Sequence, residues 1–360
     1  MSLAQTRSRQ LDERIDHTRA AVWRGSGEIA LESVPVPLLG PGDALVRVRL
    51  ATVCGSDRHT VSGRRHGPSP SILGHETVGD IVALGSGGVR SVDGRELSIG
   101  DRVIWSVTLH CGACDRCRAG VTAKCRSLLK AGHEALDSGW GVSGGYAEHV
   151  FLPRGLAIAV VGDQLPDALA APAACATATV MAVTSRAGGL AGRRVVIIGA
   201  GMLGLTAAAV AATAGAASVT VVDLSAARRE LAMDFGATEV RPAMPGAATS
   251  DVVLEFSGSS VALQEGLRSL DQQGVAVLAG SVAPDVPVAL DPESVVRRQL
   301  SILGSHNYEP RHLTAALEFL RQTRETFPWE SLVAAPVSLE GVIALLTEPA
   351  GPAPRYAIAP

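Results

Sequence analysis

Lysine is almost missing from this chain. Lys124 and Lys130 stand against thirty arginines in 360 residues, which reads as the mark of a GC-rich genome with no bearing on function. Basic blocks are absent and the formal net charge is −3, so nucleic-acid binding has no electrostatic footprint. Aromatic residues make up only 3%, too few for the stacking platforms that hold single strands. No apolar run reaches the roughly 20 residues that span a bilayer, and the stretch 207–217, with Thr213 and Gly215, reads as a buried helix. The opening residues mix Arg7, Arg9 and Arg14 with Asp12, Glu13 and Asp16 and have no apolar segment, which fits neither a signal peptide nor a transit peptide. Residues 1–19 therefore read as a loosely ordered extension, and neither a membrane nor a nucleic acid is expected as a partner. No cysteine is left over for a disulfide framework, so a reducing, cytoplasmic setting is expected.

What is present is apolar bulk and two sets of metal-ligand residues. Hydrophobic residues make up 47% and charged residues 19%, enough for two packed domains at this length. Cys111, Cys114, Cys117 and Cys125 fall in one short run with CxxC spacing. Four thiolates so placed can close a tetrahedron around a structural zinc. An iron–sulfur cluster uses the same ligands and stays open as an alternative. Cys54 and Cys175 are far apart, with His75 and Glu76 between them. Two cysteines and a histidine leave the fourth zinc position free, as a catalytic site requires. Asp57 is placed to orient an imidazole beside the metal. Ser56 offers a hydroxyl there, and His59 is a residue type suited to relaying protons.

From about Ala20 to Ile158, short β-like runs broken by Gly and Pro predict a barrel-like β domain. Beyond Pro166 a helical stretch (169–186) leads into the apolar strand Arg193–Ile198, and strands then alternate with helices, as in a parallel sheet. That first strand opens directly into Gly199-Ala-Gly201-Met202-Leu203-Gly204 and a helix, and Asp223 ends the next strand. In this context the glycine pattern is a dinucleotide site: Gly199 makes the turn, Gly201 admits the pyrophosphate, and Gly204 lets helix and strand pack. The helix N-terminus faces the phosphates. Asp223 favours NAD by accepting the ribose hydroxyls, although Arg228 nearby is the kind of residue NADP enzymes use.

In order along the chain, Cys54-Gly-Ser-Asp57, Gly74-His-Glu76, the four-cysteine run, Gly144-Gly-Tyr-Ala-Glu148, the glycine turn and Asp223 resemble the zinc-dependent alcohol dehydrogenases of the medium-chain dehydrogenase/reductase family. The resemblance covers nearly everything after residue 20. It implies an α/β plus β fold: a GroES-like β-barrel catalytic domain over 20–170, a doubly wound Rossmann coenzyme domain over 171–306, and a return to the catalytic domain over 307–360. It implies two zinc ions per chain, hydride transfer between a zinc-bound alcohol and nicotinamide, and a homodimer or homotetramer. Cys175 matches the third zinc ligand of the classical branch, where polyol dehydrogenases usually carry Glu-Pro. Glu76 is implied as a transient ligand and Thr179 as a contact of the nicotinamide. Ser56 would take the hydroxyl proton and pass it through the cofactor ribose to His59.

By family position Val107 and Arg65 line the substrate pocket. Arg64 and Arg65 could hold an anionic tail, or they are a solvated basic loop. The run Gly304–Pro310 brings His306 to the cofactor side of the cleft and is similar to a bacterial subgroup proposed to act in phosphonate catabolism. That points to an alcohol or polyol, including an anionic one such as a hydroxyalkylphosphonate. The alternative is a non-catalytic relative that binds zinc and dinucleotide as a sensor or structural protein. Such a protein has no need of an open zinc position and a proton relay.

Overall fold

The computed structural model describes residues 15–282, 285–349 and 351–360. A mixed set of short strands builds the first half. Ala44–Thr52 and Glu76–Leu84 form its centre, flanked by Arg102–Trp105, Ile158–Val160, His149–Leu152 and the late strand Ala357–Ile358, all antiparallel. A second sheet orders Glu28–Pro35, His17–Gly25 and Ser71–Ile72. Alternation in Ala44–Thr52 turns Val46 and Val48 inward against Trp105, Trp140 and Phe151, while Arg47 and Arg49 face water. The first strand begins at His17, inside the stretch expected to be loose. The strand is held by pairing with Glu28–Pro35 and by a long-range contact, in which the Thr18 hydroxyl accepts the His149 N–H at 3.0 Å. Residues 1–14 of that extension lie outside the described residues.

The second half is one parallel sheet. Its order is Glu239–Arg241, Ser218–Val222, Arg194–Ile198, Ser250–Glu255, Leu270–Leu278, Ser301–Gly304. In the numbering of that half this is 3-2-1-4-5-6, so the strand order reverses beside Arg194–Ile198, where such sheets bind ligands. All of Arg194–Ile198 after its first residue is buried, which explains its continuous apolar run. The stretch 207–217 lies mostly in the buried helix Met202–Thr213.

The helical stretch 169–186 is not one regular helix. Asp167–Pro172 and Ala178–Arg186 are joined by a π turn, Ala173–Thr177. Pro172 has no N–H to give, and the widened turn that follows carries Cys175. The whole of Asp167–Arg186 is long and apolar enough to cross a membrane by composition, more than the sequence reading allowed. Most of it instead packs in the core shared by the two halves, among Leu50, Val78, Ile104, Leu205 and Leu313.

Candidate active site

The helix Gly55–Val61 starts just after the strand Ala44–Thr52 ends. That strand pairs with Glu76–Leu84, with Thr52 opposite Glu76. The pairing brings Cys54, Ser56 and Asp57 beside His75. Gly74 is required there: it sits at φ +96°, and a Cβ would meet the Tyr146 ring at 2.8 Å. Ligand atoms of Cys54, His75, Glu76 and Cys175 all lie within 4.8 Å of one another. Zinc–ligand bonds of about 2.0–2.3 Å give tetrahedral edges of roughly 3.3–3.8 Å, so the set suits the metal.

Asp57 is fully buried and places its Oδ1 3.3 Å from His75 Nδ1. Its Oδ2 accepts from the Tyr146 hydroxyl at 2.8 Å and from the Cys54 N–H at 3.2 Å. His75 Nε2 is left facing the cleft, 3.4 Å from Ser56 Oγ. Burial opposes charge on both partners, yet Asp57 and Cys54 hold the His75 pKa well above the usual histidine value, and His75 holds Asp57 below the usual carboxylate value. The Cys54 thiol is lowered strongly by its contact with Cys175 and then, against the cost of burial, by the Arg355 charge and His75. Deprotonated sulfur is the metal-binding form.

Arg355 carries no sequence motif and lies near the C-terminus, yet it closes this site. Its Nε and Nη2 meet the Glu76 carboxylate at 2.9 and 3.1 Å, and Nη2 is 3.7 Å from Cys54 Sγ. Thr52 donates to the same carboxylate at 2.6 Å. Glu76 is therefore paired in this conformation, although its carboxylate lies close to the ligand atoms of Cys54, His75 and Cys175. The transient ligation implied for Glu76 first requires breaking this ion pair. Tyr308, in the run Gly304–Pro310, donates to the Ala174 carbonyl on the π turn and accepts the Val107 N–H at 3.2 Å, fixing two walls at once.

A cavity of about 540 Å³ runs from these ligands to the glycine turn. It is lined by Ser56, His59, Arg65, Val107 and Thr179 at one end and by Gly201, Met202, Leu203 and Gly204 at the other. Gly199 adopts φ +97°, and a Cβ on Gly204 would lie 1.7 Å from the Gly199 carbonyl oxygen. Around Gly201 a Cβ would meet nothing within 4 Å, the open approach a pyrophosphate needs. Asp223 accepts the Ala200 and Ser225 N–H groups, each at 2.8 Å, which locks the turn to the end of the second strand. Arg228 follows on the helix Ala226–Asp234. These residues suit a nicotinamide dinucleotide.

The pocket's charge differs from expectation. Arg65 is part of the lining, but Arg64 is exposed and outside it. Lys130 takes the place foreseen for Arg64, with His133 and His306 beside it. Both lysines of the chain lie beside His306, Lys124 at 2.8 Å from Nδ1 and Lys130 at 3.4 Å from Nε2. Lys130 was detectable in principle as one of only two lysines; His133 had no signal of its own.

The four remaining cysteines form a lobe with few buried residues. Their sulfurs lie within 4.8 Å of one another, with Cys114 3.5 Å from Cys117 and 3.9 Å from Cys125. Backbone N–H groups of 111, 113, 114, 117 and 127 point at these sulfurs. Cys114 is lowered to about 6 by such backbone donors and by Cys117. The spacing fits tetrahedral zinc, whose sulfur–sulfur edges are about 3.8 Å.

Residues 40–162 match the alcohol dehydrogenase GroES-like domain family, and residues 203–322 match the zinc-binding dehydrogenase family. A 5-exo-hydroxycamphor dehydrogenase of Pseudomonas putida is 31% identical over 91% of this chain and 94% of its own. An L-threonine 3-dehydrogenase of Edwardsiella ictaluri is 32% identical over 78% of this chain and 82% of its own. Among solved structures, an alcohol dehydrogenase of Thermotoga maritima superposes with a TM-score of 0.87 at 25% identity, covering 96% of this chain and 99% of the other. A zinc-binding dehydrogenase of Sinorhizobium meliloti bound to NADP superposes with a TM-score of 0.84 at 28% identity, again over 96% and 99%.

Proposed function

The chain belongs to the zinc-dependent alcohol dehydrogenases of the medium-chain family, and from that premise we propose that it oxidises an alcohol with an anionic tail, such as a hydroxyalkylphosphonate, using NAD. The observation that carries this reading is the cation set in the cleft. Arg65 and Lys130 line the same cavity as the Cys54–His75–Cys175 set, and no ion pair among the described residues involves either of them.

Cys54, His75 and Cys175 would hold a zinc ion that acts as a Lewis acid toward the substrate oxygen, while a dinucleotide along the glycine turn would take the hydride. Asp57, itself held by Tyr146, keeps the His75 ring turned so that Nε2 faces the cleft. Arg355 pairs with Glu76 beside these ligands. Ser56 Oγ would accept the proton of the substrate hydroxyl as it gives up its own through the cofactor ribose to His59, which lies one turn on along the same helix and would release it to solvent. Thr179, on the helix after the π turn, lines the same cavity and would contact the nicotinamide. Asp223 supports NAD over NADP, because a carboxylate accepts ribose hydroxyls and repels a 2′-phosphate. The division at residues 171 and 306, a cytoplasmic location and a homodimer or homotetramer belong to the same proposal.

The test is steady-state kinetics on the zinc-loaded enzyme with NAD, using pairs of neutral and phosphonate-bearing alcohols. Arg65→Ala and Lys130→Ala are each expected to raise KM for the anionic alcohol by roughly tenfold or more, the weight of a charge-assisted contact. Neutral alcohols should lose much less. Equal losses on both classes would end the anionic reading and leave the dehydrogenase chemistry standing.

A further inference from the structure

We infer that Lys124, a residue of the four-cysteine lobe, is a positioning residue for substrate: by donating to His306 Nδ1 it selects the imidazole tautomer whose Nε2–H joins Lys130 and Arg65 in one anion subsite. This rests on the anionic-tail reading above and adds to it a second job for the cysteine lobe.

The geometry starts from a conflict of donors. Lys124 Nζ lies 2.8 Å from His306 Nδ1, and Lys130 Nζ lies 3.4 Å from His306 Nε2. A neutral imidazole accepts at one nitrogen only. The shorter contact takes Nδ1, so Nε2 carries the hydrogen and meets the Lys130 ammonium donor to donor. Arg65 completes the group, with Nη1 3.5 Å from His133 Nε2. No ion pair among the described residues involves Lys124, Lys130 or Arg65. The strain of like charges is visible: burial, Arg65 and Lys124 lower the Lys130 pKa, and burial with Lys130, Lys124 and Arg65 pushes His306 down to about 4. The ring is therefore a neutral donor flanked by cations that have no carboxylate in ion-pair contact. A tetrahedral oxyanion accepts several such donors at once.

The lobe delivers Lys124 by a rigid attachment. Lys124 ends the short 3₁₀ turn Thr122–Lys124, immediately before Cys125. The Glu309 carboxylate accepts the Thr122 and Ala123 N–H groups at 3.0 and 3.1 Å and also the Thr122 hydroxyl. Asn307 Nδ2 donates to the Ala123 carbonyl at 3.3 Å. The segment that carries His306 is thus stapled to the turn that carries Lys124. Within the lobe only Ala123 and Cys125 are buried, so its shape depends on the four sulfurs being held together.

The experiment uses the zinc-loaded enzyme with NAD bound, titrated with methylphosphonate and, separately, inorganic phosphate by calorimetry. Wild type is compared with Lys124→Met, Lys124→Arg and His306→Gln, each checked for two zinc ions per chain. Lys124→Met should weaken methylphosphonate binding roughly tenfold, the loss of one charge-assisted contact. It should lower kcat/KM for an anionic alcohol relative to a neutral one by a similar factor, mainly through KM. Lys124→Arg keeps the donor, and His306→Gln keeps an N–H at the position of Nε2, so both should bind more tightly than Lys124→Met. Nitrogen-15 histidine spectra should show His306 as the Nε2–H tautomer in wild type and a shifted mixture in Lys124→Met. Unchanged binding or an unchanged tautomer in Lys124→Met would overturn the inference. If wild type binds neither methylphosphonate nor phosphate, the anionic-tail reading itself has failed, a different and recognisable result.

Discussion

At the scale of single residues, the site is governed by charges placed where water cannot reach them. Arg355 and Glu76 form a buried pair, with Glu76 fully enclosed. Removing one member of such a pair strands the other, which costs about 3–5 kcal/mol. Arg355→Leu should lose that much stability in urea unfolding, and the double variant Arg355→Leu/Glu76→Gln should recover most of it. A loss below about 0.5 kcal/mol in the single variant would show that the pair is not a structural strut. Lys130 gives a pH prediction with a definite sign. Burial, Arg65 and Lys124 lower its pKa, and the Glu134 charge offsets only part of this. It therefore loses its proton below the ordinary lysine value of about 10.4. Only the protonated form attracts an anion. KM for an anionic alcohol should therefore climb on the alkaline side earlier than an ordinary lysine would cause, with no such limb for a neutral alcohol. Lys130→Arg should abolish the limb, because arginine keeps its charge.

At the scale of elements, a tight glycine turn and a widened π turn set the chemistry. The glycine turn was legible because each glycine has a separate steric reason, and those reasons are local. Gly204 is the most demanding, since a Cβ would strike the Gly199 carbonyl. Gly204→Ala should lower the melting temperature and sharply reduce NADH affinity, measured by fluorescence titration; near-normal affinity would mean that the helix can back away from the strand. The π turn at Ala173–Thr177 was not legible. Its residues are small, and a regular helix accommodates them equally well. Only Pro172 hinted at a break, and the aim of Cys175 depends on Tyr308 gripping the Ala174 carbonyl from another part of the chain.

At the scale of the whole molecule, the parallel sheet ends on Ser301–Gly304, which pairs on one side only among the described residues. Val286, Leu290 and Val296 are exposed nearby in sequence. An unpaired edge is a surface that a second copy of the chain can cover, and the homo-oligomer proposed above would use it together with these side chains. Replacing Val286 and Val296 together with Asp should shift sedimentation toward the monomer, and an unchanged mass would exclude this edge as the interface.

The sequence by itself determined the two cysteine sets, the dinucleotide turn and the change from short strands to alternating strands and helices. All but the Cys54–His75–Cys175 set, which shows only as residue types in family order, are short-range patterns whose physical cause lies within a few residues: ligand spacing, turn sterics, or the period of apolar side chains. Only the tertiary structure decided which distant charges meet. Arg355 reaches Glu76 because Ala357–Ile358 returns to pair with Ala44–Thr52. Lys124, Lys130 and His306 come together because Glu309 staples the cysteine lobe to the end of the coenzyme sheet. A charge carries no sequence mark of its partner when the two are joined only by folding, and in this chain Arg355, Lys130 and His306 meet at the cleft in that way.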